Sequence, residues 1–172
     1  AAIEMIRNYS RVELPQGAGA LLMIELDGPE AAMETAMATI SAAAHGEGLL
    51  SLAAARTKDE AAALWATRKA LSPALRNIAP NKLNEDVVVP VSRIPQLVAA
   101  VQTIRAAQNL PIVCFGHAGN GNLHVNILFD PTDADQQRRA DAALDAVFDA
   151  VIALEGQVSG ETATAILAEH SA

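Results

Sequence analysis

The sequence predicts an α+β fold of ferredoxin-like type: a largely antiparallel sheet with helices packed on one face. Three observations predict it. Short apolar runs alternate with stripes of helical period along the chain. Two strand patterns, Ile112–Gly116 and Leu123–Phe129, follow one another across a Gly-rich turn, which makes an antiparallel hairpin rather than a βαβ crossover. And 172 residues, 51% hydrophobic and 19% charged, suffice for a single domain, residues 1–172, with a real core.

The elements follow in order. Ala20–Leu26 is an apolar run closed by Asp27-Gly28 and reads as a strand. Pro29 suits the start of a helix whose stripe is Met33, Met37, Ile40 and Ala44, ended by His45-Gly46. Leu49–Ala53 is a second expected strand. Thr57-Lys58-Asp59-Glu60 has capping-box spacing and opens a helix carrying Leu64, Trp65, Arg68, Leu71 and Ser72 up to Pro73. The β-branched run within Glu85–Pro90 is the next strand. Ser92 is the expected cap of a helix burying Leu97, Val98, Val101 and Ile104. After the hairpin, Thr132-Asp133-Ala134-Asp135 opens a last helix with Leu144, Val147, Phe148, Val151 and Ile152 on its stripe. The order is β-α-β-α-β-α-β-β-α and a tail.

Composition removes several functions. A net charge of −8 offers no basic surface for a nucleic acid. No apolar run reaches the ~18 residues of a membrane span, and no leader pattern opens the chain. Cys114 is the lone cysteine, so no intrachain disulfide is expected and a cytoplasmic location is the default. Neither GxGxxG after a strand nor GxxxxGK[ST] occurs, so the common phosphate cradles are missing.

Chemistry concentrates in Phe115-Gly116-His117-Ala118-Gly119-Asn120-Gly121-Asn122-Leu123-His124-Val125-Asn126. With Asn120-Gly121 as a two-residue turn, His117 is expected to face His124, and opposed Cβ atoms lie ~4.5–5.5 Å apart. Two imidazoles so placed can share a metal ion. Alternation sends Leu123, Val125 and Ile127 to the core and puts Asn122, His124 and Asn126 on the face of His117. A lone histidine beside a turn would suit capping or solvent. Two in cross-strand register with flanking asparagines point to a site, which still needs a third ligand.

This segment resembles the signature of the C-terminal domain of FAD-linked oxidases, the D-lactate dehydrogenase, glycolate oxidase and D-2-hydroxyglutarate dehydrogenase group of vanillyl-alcohol-oxidase-type flavoenzymes. Ala20–Gly28 is similar to the family's ALLxxExDG strand, Leu64-Trp65-x-x-Arg68 to its LWxxR, Glu85–Pro90 to its EDVxVP, and Ser159-Gly160-Glu161 to the start of its SGEHGIG. The resemblance implies that His117, His124 and Glu161 bind a divalent metal, zinc or manganese. It implies that Arg68, Ser72, Lys82 and Asn126 contact a small 2-hydroxy-acid substrate and that Asn122 contacts the FAD. A planar guanidinium matches a carboxylate in bidentate fashion, which suits Arg68 to that task. The implied reaction oxidises a D-2-hydroxy acid to the 2-oxo acid, with hydride passing to the flavin.

Two departures shape the expectation. The family's N-terminal FAD-binding domain has no counterpart in these residues. The family's histidine base after Ser-Gly-Glu is here Thr162, which does not titrate near neutral pH, so no catalytic base is assigned. One hypothesis is a frameshift, since losing one nucleotide after the Glu161 codon turns His-Gly into Thr-Ala; an in-frame relative ending the same way would exclude it. The expectation is a substrate- and metal-binding domain, inactive by itself, that works with an FAD-binding domain or subunit. The alternatives are a non-catalytic module for a metal or small acid, and a truncated remnant or a scaffold that forms a homo-dimer.

Overall fold

A computed structural model describes residues 14–159 together with positions 3 and 7. The chain divides into two compact units, one of Ile3–Leu71 and one that begins at Ser72. Among the described residues no helix is long and apolar enough to cross a membrane.

The first unit is built on helix α1, Glu30–Ala44, and on most of helix α2, Lys58–Ala74. Met33, Met37, Ile40 and Ala44 form the less exposed side of α1, yet the helix contains no buried residue. The capping box at α2 forms as its spacing requires. The Glu60 amide donates to Thr57 Oγ1 at 3.2 Å, and the Thr57 and Arg56 amides donate to Glu60 Oε2 at 3.1 and 2.7 Å. Pro73 ends nothing by itself, because α2 runs one residue beyond it. The two strands expected at Ala20–Leu26 and Leu49–Ala53 are absent: both segments are irregular. Neither run alternates strictly, so no face is specified, and among the described residues neither joins a ladder.

The second unit holds β1 (Asn81–Val88), α3 (Ile94–Gln108), β2 (Ile112–His117), β3 (Asn122–Phe129), α4 (Ala134–Ala153) and β4 (Gln157–Ser159). The strands form one sheet in the order β2-β3-β1-β4, every neighbouring pair antiparallel. This β-α-β-β-α-β order with β1 and β3 central is the expected ferredoxin-like arrangement. Its fourth strand comes from the stretch read as a tail. Three residues, Gln157-Val158-Ser159, are too few to show a period, so nothing in the pattern announced them.

Helix α3 starts later than expected. Val91–Arg93 forms a turn of 3₁₀ helix, Arg93 is the cap residue without a side-chain bond, and Ser92 caps nothing. Pro95 in the first turn supplies a fixed φ and removes one donor that a cap would have to satisfy. Helix α4 is capped as expected: Asp133 accepts from the amides of Asp135 and Gln136.

The core lies between one sheet face and these two helices. Val87, Leu123, Val125, Ile127 and Phe129 meet Leu97, Val101, Ile104, Ala140, Ala143, Val147 and Val151, all buried. Val98 and Ile152, expected on the buried stripes, are 36% and 65% exposed. Each follows a buried stripe residue directly, and a helix turns ~100° per residue, which carries them off the stripe.

Candidate functional site

The opposite sheet face carries the polar side chains, and the β2–β3 hairpin sets their positions. Its loop is a 3₁₀ turn over Ala118–Asn120 closed by Gly121, so the register differs from a two-residue turn. His117 pairs with Asn122, Gly116 with Leu123 and Phe115 with His124. The expected direct opposition of His117 and His124 is therefore wrong by two residues. A shift of two preserves facing, where a shift of one would have inverted it. The histidines stand on one face as diagonal neighbours, ring centroids 5.9 Å apart and edge to face.

Two glycines make this loop. Gly121 has φ +74, and a Cβ there would lie 2.0 Å from the carbonyl oxygen of Val89. That approach brings β1 onto the loop, where the Val89 amide donates to Gly121 O at 3.0 Å. A Cβ at Gly116 would fall 2.3 Å from Asn122 O, across the hairpin. At Gly119 a Cβ would meet nothing within 4 Å among the described residues.

Asp86 is a site residue that the sequence reading passed over. It lies directly opposite His124 in the β1–β3 pairing, and the His124 Nδ1 and Asp86 Oδ1 atoms are hydrogen-bonded. Phe115 stands on the other side of His124, its ring centroid 5.7 Å from the imidazole. The available signal was alternation in β1: Val87 points to the core, so Asp86 had to point to the face of His124. The Asn122 side-chain oxygen is buried and has no hydrogen-bond partner among the described residues. An unpaired buried acceptor costs ~1–3 kcal/mol.

The other expected site residues divide into three groups. Lys82 and Asn126 meet: Lys82 Nζ donates to Asn126 Oδ1 at 3.2 Å. Asn126 is fully buried, and its Nδ2 lies within donating distance of Val113 O at 3.3 Å and His124 O at 3.4 Å. Arg68 is half-buried and Ser72 exposed, four residues apart along α2, hence on one helical side. Glu161 and Thr162 lie outside the described residues.

His117 and His124 fit the beginnings of a metal centre. Two imidazoles on one tetrahedral ion, with M–N bonds of ~2.0–2.1 Å, place their centroids ~5 Å apart. The observed separation is 5.9 Å. Among the described residues no third His, Cys, Asp or Glu completes a ligand group. Cys114 belongs to a different chemistry. It lies on the core face, and burial pushes its thiol up to about 12, so it stays protonated and is no nucleophile.

Several known proteins are similar in sequence to this chain. The glycolate oxidase subunit GlcD of Bacillus subtilis is 36% identical over 157 residues, 91% of this chain and 33% of that protein. A probable mitochondrial D-lactate dehydrogenase of Danio rerio is 27% identical over 142 residues, covering 81% of this chain and 29% of its own length. A D-2-hydroxyglutarate dehydrogenase of Xanthomonas citri is 36% identical over 108 residues, 59% of this chain and 22% of its own length. The chain thus spans about a third or less of these relatives. The sequence pattern of the FAD-linked oxidase C-terminal domain matches residues 1–163, and the chain belongs to that family.

Proposed function

We propose that this chain is the substrate- and metal-binding domain of a flavin-dependent oxidoreductase that converts a D-2-hydroxy acid to its 2-oxo acid. The carrying observation is the meeting of His117 and His124 on one sheet face in a chain of this family. Glycolate, D-lactate and D-2-hydroxyglutarate are the candidate acids, by likeness to the named relatives.

His117 and His124, with Glu161 as third ligand, would hold zinc or manganese and leave positions open for a substrate. A divalent ion there would polarise the substrate hydroxyl, and FAD held mainly by another domain or subunit would accept the hydride. Arg68 and Lys82 bring positive charge for the carboxylate, with Ser72 and Asn126 as polar partners. Lys82 is already steered by Asn126. The unpaired Asn122 oxygen is suited to take a hydrogen bond from the cofactor. Thr162 stands where the family carries its base and cannot replace it, so the chain by itself is expected to be inactive. Leu22, Ile24 and Leu50, each more than half exposed, suit contact with the flavin-binding part or with a second copy. The lone, partly buried Cys114 fits a reducing, cytoplasmic setting.

Calorimetric titration with Mn²⁺ and Zn²⁺ tests the reading. Saturable binding that His124→Ala removes is the expected result; heat-silent titrations would overturn the metal site. Mixing the chain with FAD, each of the three acids and a redox dye should give no dye reduction. Steady turnover would instead mean that the chain carries its own base and flavin site. Metal or acid binding that no flavin-binding partner converts to turnover would favour a non-catalytic binding module, the reading to which Thr162 lends support.

A further inference from the structure

We propose that Asp86 is a positioning residue for His124, fixing both the orientation of the imidazole and the nitrogen it presents. Three strands deliver the arrangement. Phe115 on β2, His124 on β3 and Asp86 on β1 are successive partners across the sheet, so they form one row on one face. Phe115 walls the ring on one side, and the Asp86 carboxylate meets Nδ1 on the other. An ionised carboxylate can only accept. A neutral His124 joined to it through Nδ1 must carry its proton there, and Nε2 is left bare as a donor to an ion. A carboxylate behind a ligating histidine also holds the plane of its ring.

The two histidines are therefore unequal. His124 is held within the sheet, while His117 sits at the exposed end of β2, and among the described residues its ring contact is His124 itself. The structure assigns His124 as the preset ligand and His117 as the one that adjusts. The ion-binding half of this inference rests on the metal site proposed above; the tautomer does not.

The test uses the full chain and two readouts. Long-range ¹H–¹⁵N correlation at pH 8, where an ordinary imidazole is neutral, reports which nitrogen of His124 bears the proton. The expected form is Nδ1–H, shifting toward Nε2–H in Asp86→Ala. Mn²⁺ titration should show a loss of affinity of ~10–100-fold in Asp86→Ala, against complete loss in His124→Ala. Asp86→Asn, nearly isosteric, keeps an acceptor without the charge. It should fold if Asp86→Ala does not, and should lose less affinity. An Nε2–H tautomer in the unaltered chain, or Asp86 variants with unchanged tautomer and affinity, would overturn the proposal even if His124→Ala abolishes binding. If the unaltered chain binds no ion, the metal reading fails, and the tautomer shift alone decides for or against Asp86.

Discussion

Leu97, Val87, Ile127 and Val147, in the unit that begins at Ser72, are each 0–1% exposed. Leu22, Ile24 and Leu50, in the Ile3–Leu71 unit, are 68%, 53% and 55% exposed. Both sets of residues are equally apolar, so hydrophobicity alone does not separate them. The difference is pairing. In the second unit each strand has a hydrogen-bonded neighbour, and its alternate residues share one face beneath α3 and α4. In the first, the apolar runs flank helices but join no ladder among the described residues. A strand becomes a strand only when another one satisfies its backbone, so an apolar run is an offer rather than an element.

The sharpest way to break this contrast is to truncate one leucine in each unit. Leu97→Ala removes a fully buried side chain from the middle of the core. The expected cost is about 2–5 kcal/mol, read from urea unfolding followed by circular dichroism. Leu22→Ala removes a side chain that mostly faces water, and a change within about 0.5 kcal/mol is expected. Equal losses would mean that the Ala20–Leu26 run is buried in solution and that the two units do not differ as described.

The same contrast explains what could be read in advance. The hairpin, the three longer strands and the four helices were legible because alternation and helical period are local. So was the set of residues facing the histidines, since facing depends on parity. The register was not legible, because Asn120-Gly121 allows a two-residue turn and only the approach of Val89 to Gly121 selects the longer loop. Strand β4 and the role of Asp86 depend on partners more than 35 residues away in sequence, as the Asp86–Ser159 and Asp86–His124 pairings show. Ala20–Leu26 failed as a strand for the converse reason: the apolar run is present, but no strand pairs with it among the described residues.

A middle-sized effect distinguishes the glycines of the loop. Gly121→Ala places a Cβ against Val89 O in a backbone conformation that L residues adopt at a cost, and should lose about 2–3 kcal/mol. Gly119→Ala meets open space and should be nearly neutral in the same unfolding assay. If Gly119→Ala leaves stability intact yet weakens Mn²⁺ or hydroxy-acid binding, that glycine serves a ligand's approach. If both variants are neutral, the β1-to-loop contact is not what sets the hairpin register.

The smallest expected effect is one in which the units should agree. Each begins a helix with a side-chain cap, Thr57 with Glu60 in the first and Asp133 with Gln136 in the second. Capping is local, so it should not depend on whether the unit has a deep core. Thr57→Ala should cost about 1 kcal/mol, seen as faster amide exchange in the first turn of α2. Backbone amides, Arg56 and Thr57 foremost, hold the Glu60 carboxyl below its ordinary value, and the Gln136 amide does the same for Asp133. A depressed folded-state value stabilises the folded form above the carboxyl's ordinary range, and the contribution is lost as pH falls through the depressed value. Acidification below pH 4 should therefore loosen the first turns of α2 and α4 together. Fraying of α2 alone would show that the cap in the first unit draws on something beyond its own four residues.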